Sequence, residues 1–147
     1  MADDPGEQVR SHATILIVDD NPGVRAALEH MLTQAGYGVI SADSGPRAIM
    51  LASTESFDGA LITAHMSGMT GFECLRLLAQ DRATRRSRVR AWLTTTARTQ
   101  EMARAVAGSG ALGLLHKPFD FSELLSTVEA GLTAPMSQFH PLLIEGP

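Results

Sequence analysis

Short apolar runs alternate with amphipathic segments along residues 14–133, and this alternation predicts five strands and five helices. Each apolar run is typical of a short strand that is buried on both faces of a parallel sheet. Strands that alternate with helices are joined by right-handed crossovers. We therefore predict an α/β fold, a flavodoxin-like (βα)5 doubly wound parallel sheet. We favour the strand order 2-1-3-4-5, which is one of the two common orders. The predicted strands are Thr14–Asp19, Tyr37–Ala42, Ala60–Ile62, Val89–Thr94 and Ala111–Leu115.

The segments between these strands carry apolar residues at helical spacing. In the first segment the spacing runs from Val24 to Ala35, and Gly36 ends the pattern. The fourth helix is predicted at about Thr99–Ala107 and ends at a Gly-Ser-Gly turn. The pattern therefore gives every strand a helix that can cover it.

Two adjacent carboxylates, Asp19 and Asp20, follow the first predicted strand directly. Such a pair repels by ~4 kcal/mol at an effective dielectric near ~20, so it requires a cation or hydrogen-bond donors. Asn21 is suited to cap the next helix, with Pro22 in its first turn, but a cap does not need two carboxylates. The carboxyl ends of the strands meet at one edge of the predicted sheet. That edge also collects Thr63, Thr94, Thr95 and Lys117.

The 147 residues suit one domain, and we divide the chain into a flexible lead-in (1–13), a domain (14–133) and a C-terminal tail (134–147). The net charge of −4 gives no general attraction to nucleic acid or to anionic membranes. A single cysteine, Cys74, excludes an intrachain disulfide. There is no apolar run of ~20 residues and no signal peptide, so we expect a cytoplasmic protein.

The stretch from Thr14 to Leu132 resembles the receiver domain of two-component response regulators. In that family the acidic pair holds Mg²⁺, and an Asp that ends strand 3 accepts a phosphoryl group from a histidine kinase. A Thr or Ser at the end of strand 4 and a Lys before a Pro bind the phosphoryl oxygens. The resemblance is carried, in this order, by Ile15–Asp20 with Asn21 and Pro22, Gly68–Phe72, the Thr at the end of strand 4, Gly110–Gly113 and Lys117–Phe119.

The resemblance implies a role for several positions of this chain. Asp20 would be the main metal carboxylate with Asp19 beside it, and His65 would offer its backbone carbonyl. Lys117 would bind the phosphoryl group. Thr95 matches the strand 4 hydroxyl by its spacing to Lys117, with Thr94 as the alternative. The Lys117–Pro118 bond would be cis, a form whose cost is lowered at proline.

Three positions depart from the family pattern. Thr63 stands where the phosphoacceptor Asp is expected, Ser67 replaces a Pro, and Leu114 replaces a switch aromatic. A Thr hydroxyl is neutral, cannot form an acyl phosphate and needs a base before it attacks phosphorus. Loss of a carboxylate should also weaken Mg²⁺ binding. We therefore predict a degenerate, non-enzymatic receiver module of a phosphorelay that acts through protein–protein interaction without Asp phosphorylation.

Two other functions are compatible with the sequence. A receiver could still be switched by phosphate through another residue or a noncovalent anion. Asp58 and Asp43 are poorly placed for this, and Thr63 has only His65 as a nearby base. The less favoured alternative is a metal-dependent hydrolase on the same fold, with His65 or His116 as a third ligand beside the acidic pair.

The expected partners are proteins, either a histidine kinase or a downstream signalling protein. The family's helix 4, strand 5, helix 5 face suggests a homodimer through Met102, Val106, Leu114, Leu115 and His116. The arginine cluster between Arg82 and Arg90 is by default a solvated loop, although it could also bind an acidic partner. Only some fifteen residues follow helix 5, so we expect output by protein contact, unless the chain is part of a longer protein.

Overall fold

The computed structural model describes residues 13–83 and 89–134, with the side chains of 81–83 excepted. Five strands form one sheet in which every neighbouring pair is parallel. Five helices connect and cover the strands. The strands are β1 (Thr14–Val18), β2 (Gly38–Ala42), β3 (Gly59–Thr63), β4 (Ala91–Thr95) and β5 (Gly113–His116); the helices are α1 (Pro22–Gln34), α2 (Gly45–Ala52), α3 (Gly71–Ala83), α4 (Gln100–Ala107) and α5 (Phe121–Thr133).

The strand order is β2-β1-β3-β4-β5, which confirms the predicted fold. Alternate residues of the central strands enter two separate cores, because successive side chains point to opposite faces of a sheet. Ile15 and Ile17 of β1 pack with α1 and α5, whereas Leu16 and Val18 pack with α2, α3 and α4. Each buried aliphatic side chain stabilises the fold by about 1.5–3 kcal/mol. The continuous apolar runs of the sequence are therefore explained by burial on both faces.

The helix starts follow from local side-chain chemistry. Asn21 Oδ1 accepts hydrogen bonds from the backbone N–H groups of Gly23 (2.9 Å) and Val24 (3.1 Å), so Asn21 caps α1 as predicted. Asp120 and Glu123 form a reciprocal capping box at α5. These caps fix where α1 and α5 begin, directly after β1 and shortly after β5.

The fifth strand begins later than predicted. Gly110 adopts a positive φ of 92°, and the backbone N–H of Ala111 donates to Ser109 Oγ at 3.1 Å. Ala111 therefore belongs to the turn that precedes the strand. At its other end β5 extends to His116, which pairs in register with Thr95 of β4.

The described contacts reach one residue beyond each end of the predicted domain. The Ala13 carbonyl accepts from the Gly38 N–H at 2.9 Å, and the Ala134 carbonyl accepts from Arg90 Nη1 at 2.8 Å. The predicted lead-in up to residue 12, the arginines at 85, 86 and 88, the side chain of Arg82 and the tail from residue 135 lie outside the described residues. Within the described part of the chain, no helix is long and apolar enough to cross a membrane.

One prediction about the surface was wrong. Met102, Val106 and Leu115 were expected on an exposed face of α4, β5 and α5, but all three are buried. Met102 and Val106 point inward from α4 into one core, and Leu115 lies in the core on the other side of the sheet. Their side chains pack inside the domain, so a partner protein cannot contact them. Leu114 and His116 are half-buried.

Candidate functional site

Three of the predicted site residues meet at the carboxyl edge of the sheet. The Lys117 ammonium lies 2.9 Å from Asp19 Oδ2 and 2.9 Å from Thr63 Oγ1. Asp19 is 2% exposed, Thr63 4% and the Lys117 side chain 16%. We call these three residues the Lys117 cluster. The ion pair between Lys117 and Asp19 is largely buried. It therefore differs from a solvent-exposed ion pair, which contributes little to stability.

Three further hydrogen bonds fix Asp19, through its backbone N–H, its Oδ1 atom and its backbone carbonyl. Its backbone N–H continues the sheet by donating to the Ala42 carbonyl at 3.2 Å. Its Oδ1 accepts from the Asn21 N–H at 2.9 Å, and its carbonyl accepts from Arg25 Nη1 at 2.8 Å. The role of Arg25 was not predicted, because nothing in a helical pattern shows that an arginine turns back to a backbone carbonyl.

Thr63 owes its position to a close approach by α3. A Cβ atom on Gly71, the first residue of that helix, would lie 2.1 Å from the Thr63 carbonyl oxygen and 2.9 Å from Ala64 Cα. The Gly71 N–H donates to the Ala64 carbonyl at 3.0 Å. The end of β3 is thus clamped by backbone atoms, and the sequence marks this contact only by a glycine.

The two strand 4 threonines point to opposite faces. Thr94 pairs in register with Thr63 and shares its face of the sheet. Its hydroxyl is buried and has no hydrogen-bond partner among the described residues. Thr95 faces the other way, and its hydroxyl accepts from the Ala97 N–H at 3.0 Å. The Thr95 carbonyl accepts from the Lys117 N–H at 2.8 Å, which fixes the backbone of Lys117. Within the described chain, neither hydroxyl is bonded to the Lys117 ammonium.

The remaining predicted positions lie around the cluster and not within it. Asp20, His65 and Ser67 are exposed. Leu114 is half-buried, packs on the core that α2, α3 and α4 cover, and pairs in register with Leu93. The Lys117–Pro118 bond is cis, as predicted.

Asp58 lies at the opposite end of β3. Its Oδ2 accepts from the Thr14 N–H at 2.8 Å, and its own N–H donates to the Thr14 carbonyl at 2.7 Å. This carboxylate therefore joins β1 to β3 far from the Lys117 cluster. Asp43, which follows β2, is exposed.

The donor set offers little to a divalent cation. Among the described residues, no three or more His, Cys, Asp or Glu side chains are grouped in a way that could hold a metal ion. Both Asp19 oxygens are already engaged, one by the Lys117 ammonium and one by the Asn21 N–H. Asp20 and nearby carbonyls remain, and Mg²⁺ accepts such a set only when water fills most of its octahedron.

Cys74 faces the interior. Its side chain is fully buried in the core beneath α3, and burial raises the pKa of the thiol to about 11. A thiol with this pKa remains protonated at neutral pH and is a poor nucleophile. Cys74 is therefore a packing residue.

The comparisons with known proteins agree with this fold. The family model of the response regulator receiver domain matches residues 15–129. Protein PilH of Pseudomonas aeruginosa is 36% identical over 121 residues, which are 82% of this chain and 98% of PilH. Sporulation initiation phosphotransferase F of Bacillus subtilis is 31% identical over 116 residues, covering 78% of this chain and 90% of that protein.

A solved structure of the chemotaxis protein CheY4 of Vibrio cholerae superposes with a TM-score of 0.74 at 32% identity. The match covers 80% of this chain and 96% of CheY4. In longer relatives the matched part is a smaller share of the protein, for example 16% of the sensory/regulatory protein RpfC of Xanthomonas campestris. Sequence and fold agree, and the chain belongs to the family of response regulator receiver domains.

Proposed function

We propose that this receiver domain is degenerate and signals through protein contacts, without phosphorylation of an aspartate at the end of β3. One observation carries the proposal: the Lys117 ammonium contacts the neutral hydroxyl of Thr63 at the end of β3. The carboxylate that neutralises the ammonium is Asp19, on another strand. The strand end thus presents a hydroxyl where phosphoryl transfer to a receiver would require a carboxylate.

The surroundings of Thr63 do not favour its use as a nucleophile. A hydroxyl attacks phosphorus only when a base removes its proton. The nearest carboxylate of the cluster, Asp19, is paired with Lys117, and His65 is exposed. These features support a position that is silent in phosphoryl transfer.

We further propose that Mg²⁺ binds this domain only weakly. Asp20 with Asp19 beside it and the His65 carbonyl would supply the protein ligands, and the ion would neutralise phosphoryl oxygens when bound. The Asp19 and Lys117 charges already cancel each other. The attraction left for a divalent cation comes mainly from the exposed Asp20 carboxylate.

The proposed partners are a histidine kinase or a downstream signalling protein, and a second copy of the chain is a further candidate. Because Met102, Val106 and Leu115 are buried, contacts through α4, β5 and α5 would use other residues. Phe121, at the start of α5, is 43% exposed and is the large apolar side chain available there among the described residues. Buried aromatic anchors contribute strongly to interfaces.

Intact-mass spectrometry after incubation with acetyl phosphate and Mg²⁺ tests the proposal, with Thr63→Asp as the matched variant. We expect the wild-type mass to stay unchanged and the variant to gain one phosphoryl group, which hydroxylamine then removes. A hydroxylamine-sensitive phosphoryl group on the wild-type protein would overturn the proposal. Peptide mapping would then identify the acceptor carboxylate.

A further inference from the structure

The C-terminal end of α5 is held by a side chain from another part of the chain. The last carbonyls of a helix have no partner within the helix and form the negative end of its dipole. The last turn of α5 has no basic residue, and Ala134 is extended. Instead Arg90 Nη1 donates to the carbonyls of Gly131 (2.6 Å) and Ala134 (2.8 Å). A guanidinium that directly precedes β4 thus caps α5.

Two residues along, Trp92 packs against the same helix. Its side chain is 2% exposed. A Cβ atom on Gly131 would lie 2.2 Å from Trp92 Cζ2 and 2.9 Å from Leu112 Cδ1. A Cβ atom on Gly59 would lie 3.0 Å from Trp92 Cζ3. The indole is therefore closely packed against Gly59 of β3 and Gly131 of α5.

Thr94 lies on the same side of the sheet as Arg90 and Trp92, at the carboxyl end of β4. It shares a sheet face with Trp92 because residues two apart in a strand point the same way. Thr94 pairs in register with Thr63, whose hydroxyl holds the Lys117 ammonium. One face of a single strand thus runs from the α5 cap to the neighbour of the Lys117 cluster, a distance of about 13 Å at ~3.3 Å per residue.

We propose that one face of β4, formed by Trp92 and Thr94 together with the preceding Arg90, couples the Lys117 cluster to residues 131–134. A shift of Thr63 or Lys117 displaces Thr94 and its strand, and the close-packed indole and the two guanidinium hydrogen bonds pass the displacement to the end of α5. Packed interfaces respond to such shifts as units, because they contain no voids that could absorb them. The domain's output surface would then include the end of α5, from which residues 135–147 continue.

This inference does not depend on whether Thr63 occupies the phosphoacceptor position. It concerns how any change at the carboxyl edge reaches the opposite edge of the sheet. The coupling is reciprocal, so the change in unfolding free energy caused by loss of the Arg90 cap depends on the Lys117 cluster by the same amount as the reverse. A thermodynamic cycle measures this coupling directly.

The test is a double-mutant cycle on the full chain with Thr63→Val and Arg90→Gln, measured as equilibrium constants of urea unfolding. Independent sites give effects that multiply within about a factor of two. We expect the double variant to depart from the product of the single effects by about threefold or more. The matched control is Arg104→Gln, since Arg104 is an exposed arginine of α4 whose Nη2 lies 3.4 Å from Gln100 Oε1. Its effect should multiply with that of Thr63→Val.

Amide hydrogen exchange supplies a readout that simple destabilisation does not mimic. Thr63→Val should speed exchange at residues 131–134 relative to the centre of α4, and this selective change should vanish when Arg90 is already glutamine. If Arg90→Gln does not fold, Arg90→Lys takes its place in the same cycle. Multiplicative effects in the cycle, together with unchanged relative exchange at residues 131–134, would overturn the proposal.

Discussion

Replacement of Gly71 by alanine should disturb the Lys117 cluster without altering any of its side chains. A Cβ atom at this position would lie 2.1 Å from the Thr63 carbonyl oxygen, whereas ordinary contacts begin near 3.4 Å. One of the two backbone segments must therefore move by about 1 Å. β3 is paired on both sides and resists this movement, so the added Cβ strains the contact between the start of α3 and the end of β3.

The cost can be estimated from the nature of the contact. Overpacking of a well-packed interior costs about 1–3 kcal/mol. The atoms that Gly71→Ala would strike are backbone atoms and cannot rotate away, so we expect the upper end, about 3 kcal/mol. Alanine is the better helix former by at most about 1 kcal/mol. The net loss is about 2 kcal/mol, roughly a 30-fold fall in the equilibrium between folded and unfolded protein.

Urea denaturation followed by fluorescence will measure this loss, because Trp92 is the single tryptophan of the chain and is buried. Gly108→Ala is the matched control. Gly108 ends α4 at a φ of −92°, and the nearest atom to an added Cβ, the Arg104 carbonyl oxygen, is 3.7 Å away. We expect this control to change stability by less than about 1 kcal/mol. Equal stability of the two variants would show that α3 does not fix the end of β3.

Two further predictions concern buried polar groups of the strand edge and the core. Thr94→Val should stabilise the protein by about 1 kcal/mol, because it removes a buried hydroxyl that has no hydrogen-bond partner among the described residues. Thr95→Val should destabilise the protein by about 1 kcal/mol, because the hydrogen bond from the Ala97 N–H is lost. The reverse order in urea denaturation would refute this assignment. Burial raises the Cys74 pKa to about 11, while an unfolded thiol ionises near ~8.5. The unfolded chain therefore loses its proton first, and stability should fall by up to about 3 kcal/mol as the pH rises from ~8.5 to 11; Cys74→Ala, whatever its own stability, should lack this part of the alkaline slope.

The sequence predicts the sheet well because burial on both faces leaves a direct mark on composition. All five residues of β3 and of β4 are buried, and their apolar runs stand out from the polar segments around them. Once the strands are placed, the carboxyl edge follows from topology alone. Asp19, Thr63 and Lys117 could therefore be assigned to one place before their contacts were known.

Contacts between side chains and distant backbone atoms were not predictable in the same way. The Arg90 cap of α5 spans 41 residues to Gly131, and a backbone carbonyl has no residue type that would reveal it. The apolar face of α4 could not be assigned to the core or to a partner from its spacing. Periodicity shows that Met102 and Val106 share a face, but it does not show whether that face meets a core or a partner. In the structure it meets the core.

The net charge of the Lys117 cluster depends on which residue ends β3, and this charge sets how strongly the cluster attracts a cation. Asp19 and Lys117 form a neutral pair at 2.9 Å, and the Thr63 hydroxyl adds no charge. An aspartate at this position would leave the cluster with one uncompensated negative charge, beside the exposed Asp20. Two such charges close together are stabilised by a divalent cation. A threonine at the end of β3 therefore leaves less negative charge at this edge for a divalent cation to neutralise than an aspartate would leave.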